Sequence, residues 1–149
     1  MLFSVTNKTI DIHTIGNTPN LTSYETRIDI SQKGIQDNRC LFEVYKRVGN
    51  GFTEPLYQEC LEMELSFREI PFEAQPKIPF SYRGQKTKKH FVPDFICFGA
   101  IILEIKAVEK CMKQHESQVL NYLHATGFRL GLLANFGHHP RLEYSRIVL

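Results

Sequence analysis

"FVPDFICFGAIILEIK", residues 91–106, is the stretch on which the fold turns. It is an almost unbroken apolar run with Asp94, Glu104 and Lys106 set into it, three residue types that strand interiors rarely bury. Two strands joined by a turn at "FGA" (98–100) reconcile the pattern. With that turn centred on Gly99, Asp94 lies directly across from Glu104. Lys106 shares their face, while Leu103 and Ile105 point the other way. Opposed β-carbons are about 4.5–5.5 Å apart, so the two carboxylates repel unless a cation lies between them or one holds a proton. A hard divalent ion such as Mg²⁺, bound through one or two carboxylates and water, suits the pair. An internal salt bridge from Lys106 suits it too, and the two readings stand side by side. Because apolar replacements of buried ion pairs are often at least as stable, the balance tilts modestly towards function. Pro93 has no N–H to give a ladder and belongs at an edge or bulge, which weighs against this register.

Upstream, "DNRCLFEVYKRV" (37–48) carries Cys40, Leu41, Val44 and Val48 at helical spacing, and "GNG" (49–51) supplies a stop. A second helix opens at Thr53 as N-cap, with Pro55 in its first turn. Leu56, Cys60, Met63 and Phe67 form its apolar stripe, widened by Tyr57, Leu61 and Leu65 into a face that packs on a sheet. Then the period changes. "FEAQPKIPFSYRG" (72–84) reads as a strand made irregular by proline near an edge, and "RGQKTKKH" (83–90) as a turn crowded with base. Beyond the opening stretch, "EKCMKQHESQVLNYLHATG" (109–127) reads as a helix closed by Gly127. "FRLGLLANFG" (128–137) is a buried strand, and "YSRIVL" (144–149) is a candidate for one more. Helix, helix, three strands, helix, strand is an α/β order with helices covering a mixed β-sheet. Residues 1–30 read as an N-terminal arm broken by a turn at "GNTPN" (16–20).

The length of 149 residues suits one domain with a sizeable core. Hydrophobic residues at 42% against charged ones at 23% describe a globular chain rather than a disordered one. The net charge of +2 does not demand a nucleic-acid partner, so any basic surface is local. Cys40, Cys60, Cys97 and Cys111 form no CxxC pair and read as buried or inert thiols of a reducing compartment. No signal peptide and no membrane-spanning apolar run is expected, so the expected setting is the cytoplasm, away from membranes.

"PD" at 93–94 followed by "EIK" at 104–106 resembles the PD-(D/E)xK nuclease superfamily, whose signature is an aspartate on one strand and (E/D)xK on the next. "GFTEPLY" (51–57) is similar to the pattern that names its GxxExxY family. "LEIKAVEK", "HESQVLNYL" and "TGFRLGLLANFG" resemble that family's following segments. A lone ExK says little; four motifs in order say much. The likeness spans residues 30–149, giving a nuclease-like domain over 31–149 with the arm outside it. It implies a restriction-endonuclease-like α/β core (helix-strand-strand-strand-helix-strand) and a metal-dependent nuclease, with DNA the expected nucleic acid and Mg²⁺ or Mn²⁺ the cofactor. It implies Asp94 and Glu104 as metal ligands, joined by the carbonyl of Ile105, and Lys106 as the catalytic lysine. Glu54 resembles the acid on the first core helix that supports the metal directly or through water. Gln118 and Tyr122 match a QxxxY helix motif that positions Lys106 or the phosphate backbone.

Each has a plainer reading from the residues alone. Glu54 in a first helical turn complements the helix dipole, and Gln118 and Tyr122, one turn apart, make an ordinary surface pair. His115 shares that face but a hard-metal site prefers oxygen, and His138 and His139 do not make a zinc site by themselves. Arg83, Lys86, Lys88 and Lys89 are either a solvated cluster or a sequence-blind contact to phosphates beside the metal edge. Two other classes of function stay open: a catalytically inactive nucleic-acid-binding module, and a protein-interaction subunit. The arm either covers the substrate cleft or mediates oligomerisation, such as a homodimer.

Overall fold

The computed structural model describes residues 38–149, so the arm expected at residues 1–30 lies outside the described residues. Helix α1 (38–48) is followed by α2 (Glu54–Phe67), β1 (Phe72–Ala74), β2 (Ile78–Tyr82), β3 (Gln85–Phe91), β4 (Phe95–Cys97) and β5 (Ile101–Lys106). Helix α3 (Lys113–Thr126), β6 (Leu130–Asn135) and β7 (Glu143–Val148) complete the order. Five strands form a mixed sheet in the order β1-β4-β5-β6-β7, parallel only between β5 and β6, where α3 makes the crossover.

Alternation in the sheet separates two cores. Cys40, Leu41 and Val44 of α1 and Tyr57, Leu61 and Leu65 of α2 pack on Ile101, Leu103 and Ile105. On the opposite face, Val119, Tyr122 and Leu123 of α3 pack on Ile96, Ile102 and Leu133. The α2 stripe is therefore narrower than its apolar content: Met63 and Phe67 are 64% and 84% exposed, and Tyr57, Leu61 and Leu65 supply the contact instead. Leu65 and Leu61 lie one turn apart above Tyr57, whereas Met63 and Phe67 lie round the cylinder from them.

The β4–β5 turn is where the apolar pattern put it. Phe95 pairs with Leu103, Ile96 with Ile102 and Cys97 with Ile101, all symmetric about Gly99. The strand expected at 72–84 divides in two. β1 joins the main sheet beside β4, while β2 leaves it and pairs only with β3. The basic segment is not a loop, as the sequence reading had it: Arg83 and Gly84 make the turn, and Lys86, Lys88 and Lys89 lie on β3. Both turn residues have positive φ, 50° and 81°, the geometry that suits a two-residue hairpin. Removing this hairpin leaves helix-strand-strand-strand-helix-strand running through α2, β1, β4, β5, α3 and β6, with β7 added at the edge. No disulfide joins the four cysteines, and burial pushes the Cys111 thiol up to about 11. Among the described residues no helix is long and apolar enough to cross a membrane.

Candidate active site

Where β4 and β5 part, three ionisable groups converge. The Asp94 carboxylate accepts the Ile105 N–H at 2.8 Å, and Glu104 Oε2 accepts the Asp94 N–H at 3.3 Å. Each acid thus ties down the backbone of the other's strand. Lys106 Nζ lies 2.8 Å from Glu104 Oε1, donates to the Ile105 carbonyl at 2.9 Å, and is 3.7 Å from Glu54 Oε1. Glu104 is only 3% exposed, so this charge is held largely away from water.

Burial, then the charge of Glu104, drives the Asp94 carboxyl up to about 7, against the Ile105 N–H and Lys106, which favour its ionised form. Burial also raises Glu104, with the Lys106 hydrogen bond and charge holding it down. For Lys106, burial works to lower the pKa, but Glu104, Glu54 and Asp94 outweigh it and raise it. Lys106 is therefore a firm ammonium, and the pair of acids is short of positive charge.

Glu54 reaches this point from α2 because the preceding loop is braced. Gly51 has φ of 100°, which a side chain would resist. Tyr57, fully buried, donates its hydroxyl proton to the Gly49 carbonyl at 2.7 Å and accepts the Phe52 N–H at 3.2 Å. The glycine and tyrosine of "GFTEPLY" thus fix the turn from which Glu54 projects. Thr53 occupies the N-cap but its hydroxyl makes no capping bond.

Gln118 and Tyr122 come to the same region from the opposite layer. Gln118 Nε2 donates to the Tyr122 hydroxyl at 2.8 Å. Burial raises the Tyr122 hydroxyl, the Gln118 bond opposes that, and the charges of Glu104, Asp94 and Lys106 are all felt there. His115 turns away, its Nδ1 accepting the Met112 N–H at the start of α3. Arg83, Lys86, Lys88 and Lys89 stand exposed on the β2–β3 arm and form no ion pair among the described residues.

Three positioning residues escaped the sequence reading. Gln58, one turn after Glu54 on the same face of α2, donates to the Asp94 carbonyl at 3.4 Å and to Glu62 at 3.0 Å. Gln75 gives its N–H to the same carbonyl at 2.8 Å. Asn135, fully buried, sits opposite Lys106 in the β5–β6 register; its Oδ1 takes the Val108 and Gly137 N–H groups and its Nδ2 donates to Glu143. That amide bond is the leading cause holding the Glu143 carboxyl below the usual range, and Glu143 also accepts the Cys111 N–H. Together these bonds fix the loop that leaves Lys106. An amide inside the apolar run "LLANFG" was the available signal for Asn135.

The description "PD-(D/E)XK nuclease superfamily" matches residues 32–147. A solved structure named "Crystal structure of SSO0001" superposes with a TM-score of 0.51 at 20% identity, over 63% of this chain and 49% of that one. This chain therefore spans about half the length of that protein, and the likeness is one of fold: the five-stranded mixed sheet flanked by helices is restriction-endonuclease-like. No curated protein sequence matches significantly. Since the family match runs from ahead of α1 into β7 and takes in every side chain described above, the chain belongs to the PD-(D/E)XK nuclease superfamily.

Proposed function

We propose that this chain is a metal-dependent nuclease of the GxxExxY family that hydrolyses phosphodiester bonds of DNA. The observation that carries the proposal is the meeting of Asp94, Glu104 and Lys106 at the open end of the β4–β5 hairpin. The donor chemistry fits Mg²⁺ or Mn²⁺. Oxygens of Asp94, Glu104 and the Ile105 carbonyl gather there, and two buried acids beside one amine leave a deficit of positive charge. Among the described residues no three His, Cys, Asp or Glu side chains close round a common point. That suits an ion that keeps several waters rather than one caged by protein. Asp94, Glu104 and the Ile105 carbonyl would hold it, and the chemistry it supplies is charge neutralisation at phosphate and acidification of the attacking water.

Lys106, held protonated by its acidic neighbours, does not serve as a general base. It donates to a phosphate oxygen and stabilises the negative charge that builds there. Glu54, on the mouth of the site, steadies the amine from the α2 side. Tyr122 accepts from Gln118, so its own proton is left to donate towards the phosphate backbone. Arg83, Lys86, Lys88 and Lys89 add a salt-dependent attraction to phosphates without reading sequence. Against a catalytically inactive module stands the retention of all four of Glu54, Asp94, Glu104 and Lys106.

The test is cleavage of single- and double-stranded DNA by the purified chain with Mg²⁺ or Mn²⁺. Cleavage is expected to vanish in chelator and to fall by about 100-fold or more in Lys106→Ala. Equal cleavage by the wild type and that variant rejects the role given to Lys106. Salt-sensitive DNA binding without metal dependence or cleavage would move the protein to the binding-module class.

A further inference from the structure

The β2–β3 hairpin lies over α3, and between them runs a cleft of about 520 Å³ that shares Gln118 and Tyr122 with the site above and otherwise lies beyond it. Its hairpin wall is aromatic, formed by Phe80 and Phe91. Phe80 is 46% exposed and sits where the β2–β3 register shifts, between Pro79 and Ser81, so an apolar ring faces the opening rather than the core. Its helix wall is polar: Gln114, Ser117 and Asn121 recur at successive turns of α3, all exposed. Tyr122 joins the two walls, its ring stacked on Phe91 at 5.3 Å and 15°. The same tyrosine carries the hydroxyl that feels Asp94, Glu104 and Lys106.

An unpaired nucleobase needs these things together: a π-face to stack on, and donors and acceptors for an edge no longer paired. A base inside a duplex has no free face to offer. Charge agrees as well. From Ile78 to Val92 the hairpin that forms one wall contains Arg83, Lys86, Lys88 and Lys89 and no acid, so that strand pair offers only positive charge to a phosphodiester backbone. We infer that the cleft seats an unpaired base of a single-stranded segment, with Phe80 stacked on it and the Gln114 and Asn121 amides on its edge. The backbone then passes Tyr122 towards the acids. This deepens the proposed nuclease function and rests on its claim that the substrate is nucleic acid.

The experiment measures binding in chelator, where cleavage does not interfere. Fluorescence anisotropy compares a labelled mixed-sequence single strand with an abasic strand of the same length and charge. Wild type should prefer the base-bearing strand by about 5- to 150-fold, the range of one stacked base. Phe80→Ala should bring that ratio towards one, and Phe80→Trp should keep it. A wild-type ratio near one, a ratio unchanged in Phe80→Ala, or a ratio lost in both variants overturns the inference. Cleavage of DNA with Mn²⁺ is measured on the same proteins. Cleavage by wild type with no base preference sinks the cleft alone, and a Phe80-dependent preference without any cleavage sinks the nuclease reading alone.

Discussion

Replacing Lys106 with methionine removes the ammonium 2.8 Å from Glu104 while keeping a side chain of similar length. Both partners are shielded, the side chains being 13% and 4% exposed. Breaking such a buried pair costs about 3–5 kcal/mol while the remaining charge persists. A carboxylate has an escape, which is to take a proton. Glu104 already lies above the ordinary carboxyl value because of burial, and Lys106 is what restrains it. Without Lys106 the acid neutralises at higher pH, so the cost shrinks as the solution becomes more acidic. We expect a loss of about 3 kcal/mol at pH 8, and of about 1 kcal/mol at pH 5.5, where a hydrogen bond and some packing are all that is missing. Urea unfolding reads both. With a slope of about 1–3 kcal/mol per molar, the midpoint should fall by at least about 1 M at pH 8 and much less at pH 5.5. An equal loss at the two pH values, or a larger one in acid, would refute the reasoning.

Three further outcomes follow from the same geometry. Asp94 gives the wild type its own pH dependence: a carboxyl raised from 3.8 to about 7 stabilises the fold in full below 3.8 and loses that contribution as pH rises through about 7, by at most about 4 kcal/mol. Asp94→Asn should flatten that decline in thermal melts between about pH 4 and 8, and should abolish cleavage. Mn²⁺ should raise the melting temperature more at pH 8 than at pH 6, because the proton competes for Asp94; an equal rise at both would count against Asp94 as a ligand. Gly137→Ala should cost about 2 kcal/mol or more, since its β-carbon would come within 2.5 Å of the Val108 carbonyl oxygen and 2.7 Å of the Ala107 carbonyl carbon, backbone atoms that do not yield easily. Calorimetry checks the loss, and activity should fall with it because the loop beyond Lys106 shifts.

How much of this could be read in the sequence depended on what each segment buries. The β4–β5 register was legible because Ile101 to Ile105 lie against two cores and a one-residue slip would have reversed every side chain. Helix α3 was legible from its end, Gly127, which adopts φ of 74°. The β2–β3 arm was not, because β3 exposes nearly every residue and so carries no period-two pattern. Lysine and threonine there read as a loop, and only the Arg83–Gly84 turn hinted at a hairpin. On α2 the apolar count exceeded what the sheet could cover, and composition alone could not say that Met63 and Phe67 were the surplus. Within the candidate site, the charged residues stood out because they were out of place in an apolar run. Gln58 and Asn135 were missed because neutral side-chain amides that serve backbone groups leave no such mark, and Gln75 because it acts through its main-chain N–H.

Pro93 shows how a local misfit shapes the candidate site. Extending the register past Phe95 and Leu103 sets Pro93 opposite Ile105. Ile105 turns its N–H towards the β4 side, since Lys106, the next residue, gives its carbonyl to Phe136 on the β6 side. An ordinary residue at position 93 would exchange two ladder bonds with Ile105 and close the hairpin. Proline has no N–H to give the Ile105 carbonyl, and the Asp94 carboxylate takes the Ile105 N–H that the ladder would have used. The carbonyl of Ile105 is thereby released into the space where Asp94 and Glu104 point, and Lys106 now occupies it. The residue that argued against the register thus stops the pairing where two acids, an amine and a carbonyl freed from the ladder come together. Strand alternation supplies the acids on one face, but it is the broken ladder that turns the Ile105 carbonyl and its N–H over to the side chains of Lys106 and Asp94.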